Sequence, residues 1–183
     1  MDFPSSKNNF DKDLIDAKKY ELFALEYFHK IKHYNIVENR KNEDLKFFDL
    51  IVYDDNNNVL CFIEVKHDKY VAMNNHFAVE YESWKKPSGI VITKAEYFIF
   101  ISSLPKSTQH IMYIFKTKEL RKFIKNNRGK LDAKTCLIIQ PCIVQNETNA
   151  KFFRIHLDYL VGLYQKIDVT KYVDNGLLTN PDL

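Results

Sequence analysis

The stretch that most constrains the fold is residues 46–68, because it combines two apolar segments with charged residues inside them. Residues 47–53 and 59–65 are apolar and aromatic apart from one acidic residue each, Asp49 and Glu64. Between the two segments lies a run of Asp and Asn, which are typical turn residues because their side chains bond nearby backbone groups. The stretch therefore predicts a β-hairpin with charges in its strand interiors.

Strand geometry predicts that these charged side chains share one site. Side chains alternate along a strand, so Glu64 and Lys66 lie on one face. If the turn closes between Asp54 and Val59, the paired residue numbers add up to 113 and Asp49 lies opposite Glu64. Directly paired residues have β-carbons about 5 Å apart, and two carboxylates that close repel unless a cation or proton lies between them. A hard divalent ion with oxygen ligands would resolve this repulsion.

Asp49, followed after fifteen residues by Glu64-Val65-Lys66, resembles the core motif of the PD-(D/E)XK nuclease superfamily. The resemblance implies an α/β fold, with a restriction-endonuclease-like mixed central β-sheet of four to six strands flanked by helices in a single domain. It also implies bound Mg²⁺, with Mn²⁺ as a substitute. Phe48 stands where the family motif has a proline, at a position that varies within the family.

The resemblance implies a role for each motif residue. Asp49 and Glu64 would hold the metal, and the carbonyl of Val65 would be a further ligand. Lys66 would orient the attacking water or stabilise the charge that develops on the phosphate. Because neighbouring carboxylates raise the pKa of a lysine, charge stabilisation is the expected role of Lys66.

A glutamate on the first helix often reaches the metal in the resembled family. We choose Glu21 for this role, because it lies mid-helix beside the apolar stripe from Ala17 to Leu25, and Glu26 is the alternate. For either residue alone, the alternative interpretation is a surface glutamate that does not reach the metal, and this is about equally favoured. Glu80 is also considered as an extra metal ligand, and the interpretation that it is not a ligand is favoured.

Two basic segments are candidates for nucleic-acid binding. A turn at residues 84–89 and the outer face of a predicted helix at residues 117–126 both present lysines that would contact phosphates. The alternative for the turn is an ordinary exposed loop, and for the helix a solvated face. The candidate residues are Lys85, Lys86, Ser88, Lys118, Lys122 and Lys125, and Arg121 lies on the same helical stripe.

The alternative for the central hairpin is a set of charges that simply face water. In that case one strand face would be buried, comprising Phe48, Leu50, Val52, Ile63 and Val65. The other face is also apolar, carrying Ile51, Tyr53, Leu60 and Phe62. A charge in such an apolar setting indicates a functional site more often than a solvated surface.

Composition excludes several other classes of function. The chain has 4 Gly and none cluster, which argues against a P-loop or a dinucleotide-binding fingerprint and so against a nucleotide cofactor. No apolar run approaches the length of a membrane span, so no membrane is expected. Three cysteines without a C-x-x-C pair, and no signal peptide, predict a cytoplasmic location in a bacterium, or in the host cell if the protein is phage-encoded.

The remaining pattern predicts one domain over residues 11–172, with a loose N-terminus at 1–10 and a frayed tail at 173–183. The predicted helices cover residues 11–33, 117–126 and 158–166. The predicted strands cover residues 34–37, 47–53, 59–65, 111–116, 136–140 and 151–157, while 77–81 is predicted as a strand or a helix edge.

These observations predict a magnesium-dependent endonuclease that hydrolyses DNA. A single domain without an obvious specificity module favours a structure-selective enzyme, of the Holliday-junction resolvase or phage recombination type. The alternatives are a restriction-type sequence-specific endonuclease, and a non-catalytic nucleic-acid-binding domain on the same fold. Such enzymes usually act as dimers, and exposed apolar strands would allow a homodimer.

Overall fold

The computed structural model describes residues 6–40, 47–103, 109–127, 139–143 and 150–173. The helices in these ranges are α1 (Ser6–Glu26), α2 (Lys69–Asn74), α3 (Thr117–Asn127) and α4 (Thr170–Tyr172). The strands are β1 (Asn35–Glu38), β2 (Leu50–Tyr53), β3 (Val59–His67), β4 (His76–Ser83), β5 (Lys86–Pro87), β6 (Tyr97–Ser103), β7 (His110–Lys116), β8 (Ile139–Ile143), β9 (Lys151–His156) and β10 (Tyr164–Asp168). A π-helical turn at Tyr27–Ile31 extends α1, and 3₁₀ turns lie at Gly89–Val91 and Leu157–Leu160.

The main sheet has six strands in the order β1-β2-β3-β6-β7-β10. Strands β1, β2 and β3 form an antiparallel meander, and β3 then pairs with β6 in parallel. Parallel neighbours need a long crossover connection, which here contains α2, β4 and β5. The predicted α/β class with a mixed sheet of four to six strands is therefore confirmed.

A second sheet was not predicted. It has four strands in the order β5-β4-β9-β8 and is antiparallel. Phe77 of β4 joins the two sheets, since its ring lies 4.8 Å from Phe100 and 5.1 Å from Tyr113 of the main sheet, measured between ring centroids. One face of the main sheet is thus covered largely by strands, where the sequence predicted helices alone.

The two faces of the main sheet have separate hydrophobic cores. Helix α1 covers one face, where Phe23, Tyr27, Leu50 and Val65 are buried together. The other face packs against the second sheet and α3, with a core of Phe77, Phe98, Phe100, Phe115, Leu120 and Ile155. Burying each of these large side chains contributes about 1.5–3 kcal/mol, so both faces of the central strands are firmly fixed.

The β2–β3 hairpin has the predicted register over most of its length. Leu50 pairs with Ile63, and the next two pairs keep the same sum of 113. A bulge follows Val52, so that Tyr53 pairs with Val59 and the sum falls by one. The turn is held by Asp54, whose Oδ1 accepts hydrogen bonds from the backbone N–H groups of Asn56 at 2.9 Å and Asn58 at 2.8 Å.

Most predicted elements are confirmed with small shifts of their ends, including β1, β4, β7, α3 and β9. Helix α1 begins at Ser6, earlier than the predicted start at Asp11, so residues 6–10 are helical rather than loose. The helix predicted at 158–166 is wrong, because that segment forms a 3₁₀ turn and then β10. Residues 1–5, 136–138 and 174–183 of the predicted segments lie outside the described residues.

The longest described helix, α1, has 21 residues, and Lys, Asp and Glu recur along its whole length. Within the ranges that the structure describes, no helix combines the length and the apolar character needed to cross a membrane.

Candidate functional site

Asp49 lies immediately before β2, at a bend in the chain. Its backbone N–H donates to the carbonyl of Ile63 at 2.9 Å, and its Oδ2 accepts a hydrogen bond from the backbone N–H of Val65 at 2.7 Å. The carboxylate therefore takes the position that a backbone carbonyl would occupy if β2 extended further. The extrapolated register predicted that Asp49 pairs directly with Glu64. This is wrong, because the ladder begins at Leu50.

Glu64 and Lys66 lie on the same face of β3, as predicted. They face the second core, because their parallel neighbours on β6 are Phe98 and Phe100. The Glu64 side chain is 7% exposed and that of Lys66 is 43% exposed, and Lys66 Nζ lies 2.5 Å from Glu64 Oε1. A buried carboxylate thus has its counter-charge on the solvent side.

The electrostatics of Asp49 connect the motif residues. Burial, followed by the negative charges of Glu64 and Glu21, raises the pKa of Asp49 to about 7, although Lys66 and the Val65 N–H act in the opposite direction. A carboxyl group with this pKa is half protonated at neutral pH. The positive charge of Lys66 therefore does not balance the effects of burial and of the neighbouring carboxylates on Asp49.

Lys66 is surrounded by negative charge. Displacement of water by the surrounding protein would lower its pKa, but the charges of Glu64, Asp49 and Glu80 outweigh this and raise it. Lys66 is therefore a cation at neutral pH and cannot readily act as a general base. The expectation that neighbouring carboxylates raise the pKa of Lys66 is confirmed.

Of the two helix glutamates, Glu21 is the one whose charge acts on Asp49. Glu21 also forms an ion pair with Lys18 at 3.0 Å, so this lysine competes for its carboxylate. Glu26 forms an ion pair with Lys30 at 2.7 Å and does not contribute to the electrostatics of Asp49. The electrostatics of Asp49 therefore favour Glu21 over Glu26 as the helix residue near the site.

A loop at residues 89–94 supports the motif from the side of α3. The hydroxyl of Thr93 donates to the carbonyl of Phe47 at 2.6 Å and lies 3.4 Å from Glu64 Oε2. Arg121 of α3 holds this loop, donating from Nε to the carbonyl of Ile90 at 2.7 Å and from Nη2 to that of Thr93 at 2.5 Å. Arg121 lies on the exposed outer stripe of α3, as predicted, but it has a structural role because its guanidinium is bonded to this loop.

The predicted turn at residues 84–89 is packed against Glu80. The hydroxyl of Ser88 donates to the Glu80 carboxylate, so it is engaged within the protein rather than free for a phosphate. Gly89 has φ +50, and a Cβ there would lie 2.5 Å from the carbonyl oxygen of Glu80. Glycine is therefore required at this close approach. Because Glu80 also acts on Lys66, the turn is linked to the charged site.

The predicted nucleic-acid-binding lysines all lie at the surface. On α3, Leu120 and Ile124 are buried while the lysines are exposed, which gives the predicted amphipathic helix. Through Arg121, α3 adjoins the loop that contacts Glu64. The exposed lysines are Lys85, Lys86, Lys118, Lys122 and Lys125.

Thr93 and Gly89 lie beside the charged residues and were not predicted as site residues. Thr93 gives no local signal, because its partner Phe47 is 46 residues away in sequence. For Gly89 a signal was present, since a chain with only 4 Gly places one at the end of the basic turn.

The donor set is compatible with a magnesium ion. Mg²⁺ in proteins is typically held by one or two carboxylates and keeps several waters, and Asp49 and Glu64 provide two. The N–H of Val65 points to Asp49, and in an extended strand the carbonyl of the same residue faces the same edge. Among the described residues, no group of three or more His, Cys, Asp or Glu side chains is arranged to hold a metal. Glu21 is therefore not assembled with the other two carboxylates.

Comparison of the chain with protein-family models, with curated proteins and with solved structures finds no match.

Proposed function

We propose that this protein is a metal-dependent endonuclease of the PD-(D/E)XK type that hydrolyses DNA phosphodiester bonds. The observation that carries the proposal is the juxtaposition of two carboxylates and a lysine, with the pKa of Asp49 raised to about 7 by burial and by neighbouring negative charge. Lys66 supplies one positive charge to the two carboxylates, and a divalent ion would provide the remainder. The order of α1, the antiparallel β1–β2–β3 meander and the motif on β2 and β3 supports the same proposal.

Asp49 and Glu64 would hold a magnesium ion, with Mn²⁺ as a substitute and the Val65 carbonyl as a further ligand. When bound, such an ion polarises a phosphate and lowers the pKa of a coordinated water. The Val65 N–H orients Asp49 for this role, since its 2.7 Å hydrogen bond to Oδ2 leaves Oδ1 as the other donor oxygen.

Lys66 would stabilise the negative charge of the scissile phosphate. Its amino group is kept cationic by the carboxylates around it, and its side chain is 43% exposed, so a phosphate can approach it from solvent. Electrostatic stabilisation of developing charge is usually the largest single contribution to catalysis of this kind. Glu21 would have to release Lys18 before it could complete the shell.

The exposed lysines of α3 and of the 84–87 turn would bind the phosphate backbone on either side of the site. Each phosphate contact adds affinity that depends on salt and not on base sequence. We therefore propose a structure-selective enzyme of the resolvase or phage recombination type rather than a restriction-type enzyme, acting alone or as a homodimer.

Cleavage of a DNA panel tests the proposal. Single-stranded, duplex, flap and four-way-junction substrates would be incubated with Mg²⁺ or Mn²⁺. We expect Asp49→Asn, Glu64→Gln and Lys66→Met each to reduce the rate by about 100-fold or more. Matched controls are Asp55→Asn on the exposed hairpin turn and Lys116→Met at the exposed end of β7, which should cleave at the wild-type rate. Absence of cleavage by the wild type with either ion would contradict the proposal.

A second candidate is a non-catalytic nucleic-acid-binding domain. The ion pair between Lys66 and Glu64 favours it, because an internal cation already neutralises one of the two carboxylates. In that case the wild type would bind DNA without cleaving it. The main effect of Lys66→Met would then be a lower free energy of unfolding. The same DNA panel, assayed for binding and for cleavage, separates the two functions.

A further inference from the structure

The connection between β4 and β5 is a two-residue turn formed by Trp84 and Lys85. Ser83 pairs with Lys86 on either side of it, so only these two residues make the tip. Both are in the left-handed region, with φ +51 at Trp84 and φ +61 at Lys85. Turns of this kind favour Asn-Gly, because other side chains collide with the backbone at positive φ. Two large residues here indicate a strained tip, and such strain is found most often at functional positions.

The side chains of this tip are chemically distinctive. Trp84 is the only tryptophan in the sequence and is 60% exposed, although large aromatic residues are usually buried. Lys85 and Lys86 follow it directly and are also exposed. An exposed aromatic ring beside ammonium groups is the combination that binds single-stranded nucleic acid, in which the ring stacks on a base and the cations contact the backbone.

The tip is rigidly connected to the charged site. Ser88 donates its hydroxyl to Glu80 and its backbone N–H to the carbonyl of Tyr81 at 3.1 Å, and Gly89 packs against the backbone of Glu80. The loop that begins at Gly89 then reaches the charged site, since the Thr93 hydroxyl lies 3.4 Å from Glu64 Oε2. Trp84 follows Glu80 by four positions, directly after the end of β4, which corresponds to about 13 Å of strand.

We propose that the tip formed by Trp84, Lys85 and Lys86 binds an unpaired stretch of a DNA strand next to the charged site, with the Trp84 indole stacked on a base. The inference rests on the proposed function for the identity of the ligand and for the position of the scissile phosphate.

The stacking geometry also defines the substrate class. In a continuous duplex both faces of each base are covered by its neighbours, so an indole cannot stack without disrupting them. A base in a single strand, a flap or a junction offers a free face. The tip therefore selects DNA that contains unpaired bases close to the site of cleavage.

An anionic membrane surface would also suit an aromatic ring beside lysines. Stable attachment to a membrane normally requires a broad apolar face or two anchoring signals, and this tip offers a single large apolar side chain. Stacking on a base needs only one ring, so the observations favour nucleic acid. Vesicles are included in the test as the competing ligand.

Because Trp84 is the only tryptophan, fluorescence excited at a wavelength that tyrosine does not absorb reports on the tip alone. The wild type in EDTA, where no metal-dependent cleavage can occur, would be titrated with a 20-nucleotide single strand, with a closed duplex of the same sequence, and with vesicles of phosphatidylserine and phosphatidylcholine. We expect the single strand to quench the fluorescence at lower concentration than either other ligand. Free N-acetyltryptophanamide in place of the protein controls for collisional quenching.

Variants separate stacking from charge. With a labelled single strand, Trp84→Ala should weaken binding by about 5-fold to 150-fold, and Trp84→Phe should retain most of the affinity. Leu60→Ala, which removes a side chain of similar exposure at 62% from the other hairpin, should leave binding unchanged. Lys85→Gln should reduce the slope of log affinity against log salt by about one, whereas Trp84→Ala should not change it.

The outcomes distinguish this inference from the proposed function. Suppose that Trp84→Ala cleaves DNA at the same sites as the wild type, and that a single strand does not quench the wild-type fluorescence. This result would overturn the inference and leave the nuclease proposal standing. Quenching by single strands in a protein that cleaves nothing would support the inference and reject hydrolysis. Equal quenching by the closed duplex, or stronger quenching by the vesicles, would overturn it.

Discussion

The backbone N–H of Val65 donates a 2.7 Å hydrogen bond to the carboxylate of Asp49, across the edge where β2 begins. This contact joins a residue outside the ladder to the centre of the strand that carries Glu64 and Lys66. It also orients the Asp49 carboxylate. Burial and nearby negative charge disfavour the ionised form of this group and raise its pKa to about 7.

The raised pKa predicts that Asp49 destabilises the metal-free protein at neutral pH. A carboxyl group whose pKa rises from 3.8 to about 7 on folding binds more protons in the folded state, so stability falls as the pH rises between these values. The shift corresponds to at most about 4 kcal/mol. We expect Asp49→Asn to raise the free energy of unfolding by about 2 kcal/mol at pH 8 and by little at pH 4.

Urea denaturation across pH 4–8 measures this difference. Asp55→Asn, on the exposed hairpin turn, is the control and should change the free energy of unfolding by less than about 0.5 kcal/mol at every pH. An Asp49→Asn variant that is less stable than the wild type at pH 8 would show that the carboxylate is well compensated in the metal-free fold.

Magnesium should stabilise the protein in a manner that depends on Asp49. With a dissociation constant of about 1 mM, 10 mM Mg²⁺ would raise the free energy of unfolding by about 1.4 kcal/mol at pH 8. At pH 6 the ion must displace a proton from Asp49, so we expect only about 0.4 kcal/mol. Thermal melts with and without Mg²⁺, at constant ionic strength, measure the effect. An equal response in Asp49→Asn would show that the ion binds elsewhere.

Gly89 should tolerate substitution worse than Gly162, although both have positive φ. A Cβ at Gly89 would lie 2.5 Å from the Glu80 carbonyl oxygen, whereas at Gly162 nothing lies within 4 Å. We expect Gly162→Ala to cost about 1 kcal/mol, from the left-handed backbone alone, and Gly89→Ala to cost about 2–3 kcal/mol. Urea denaturation midpoints measure both changes if the dependence of the unfolding free energy on urea concentration is unchanged. Equal losses of stability in the two variants would contradict the close approach of Gly89 to Glu80.

Arg121 should contribute more to stability than its neighbour Lys122. Arg121→Met would leave the carbonyls of Ile90 and Thr93 without their donors, in residues that are each 3% exposed. Unsatisfied buried groups cost about 1–3 kcal/mol each, so we expect a loss of about 2 kcal/mol. Lys122→Met, on the exposed side of α3, should change stability by less than about 0.5 kcal/mol. Similar losses in both variants would argue that Arg121 has no specific role.

The sequence by itself determined the central hairpin and the strand face shared by Glu64 and Lys66. Both follow from local rules, namely the turn chemistry of Asp and Asn and the alternation of side chains along a strand. The predicted register is correct for the three pairs from Leu50 to Val52. The bulge after Val52 was not predictable, because an extra residue in one strand leaves the apolar pattern of the segment unchanged.

Only the tertiary structure decided how the site is assembled. It turned Asp49 towards Val65, brought Glu21 rather than Glu26 within electrostatic reach, and bonded the Arg121 guanidinium to a loop 28 residues away in sequence. It also gathered four strands into a second sheet against the face predicted to hold helices. The physical reason is the same in each case: these contacts join residues that are distant in sequence, and the local pattern that forms a strand or helix does not specify its partner.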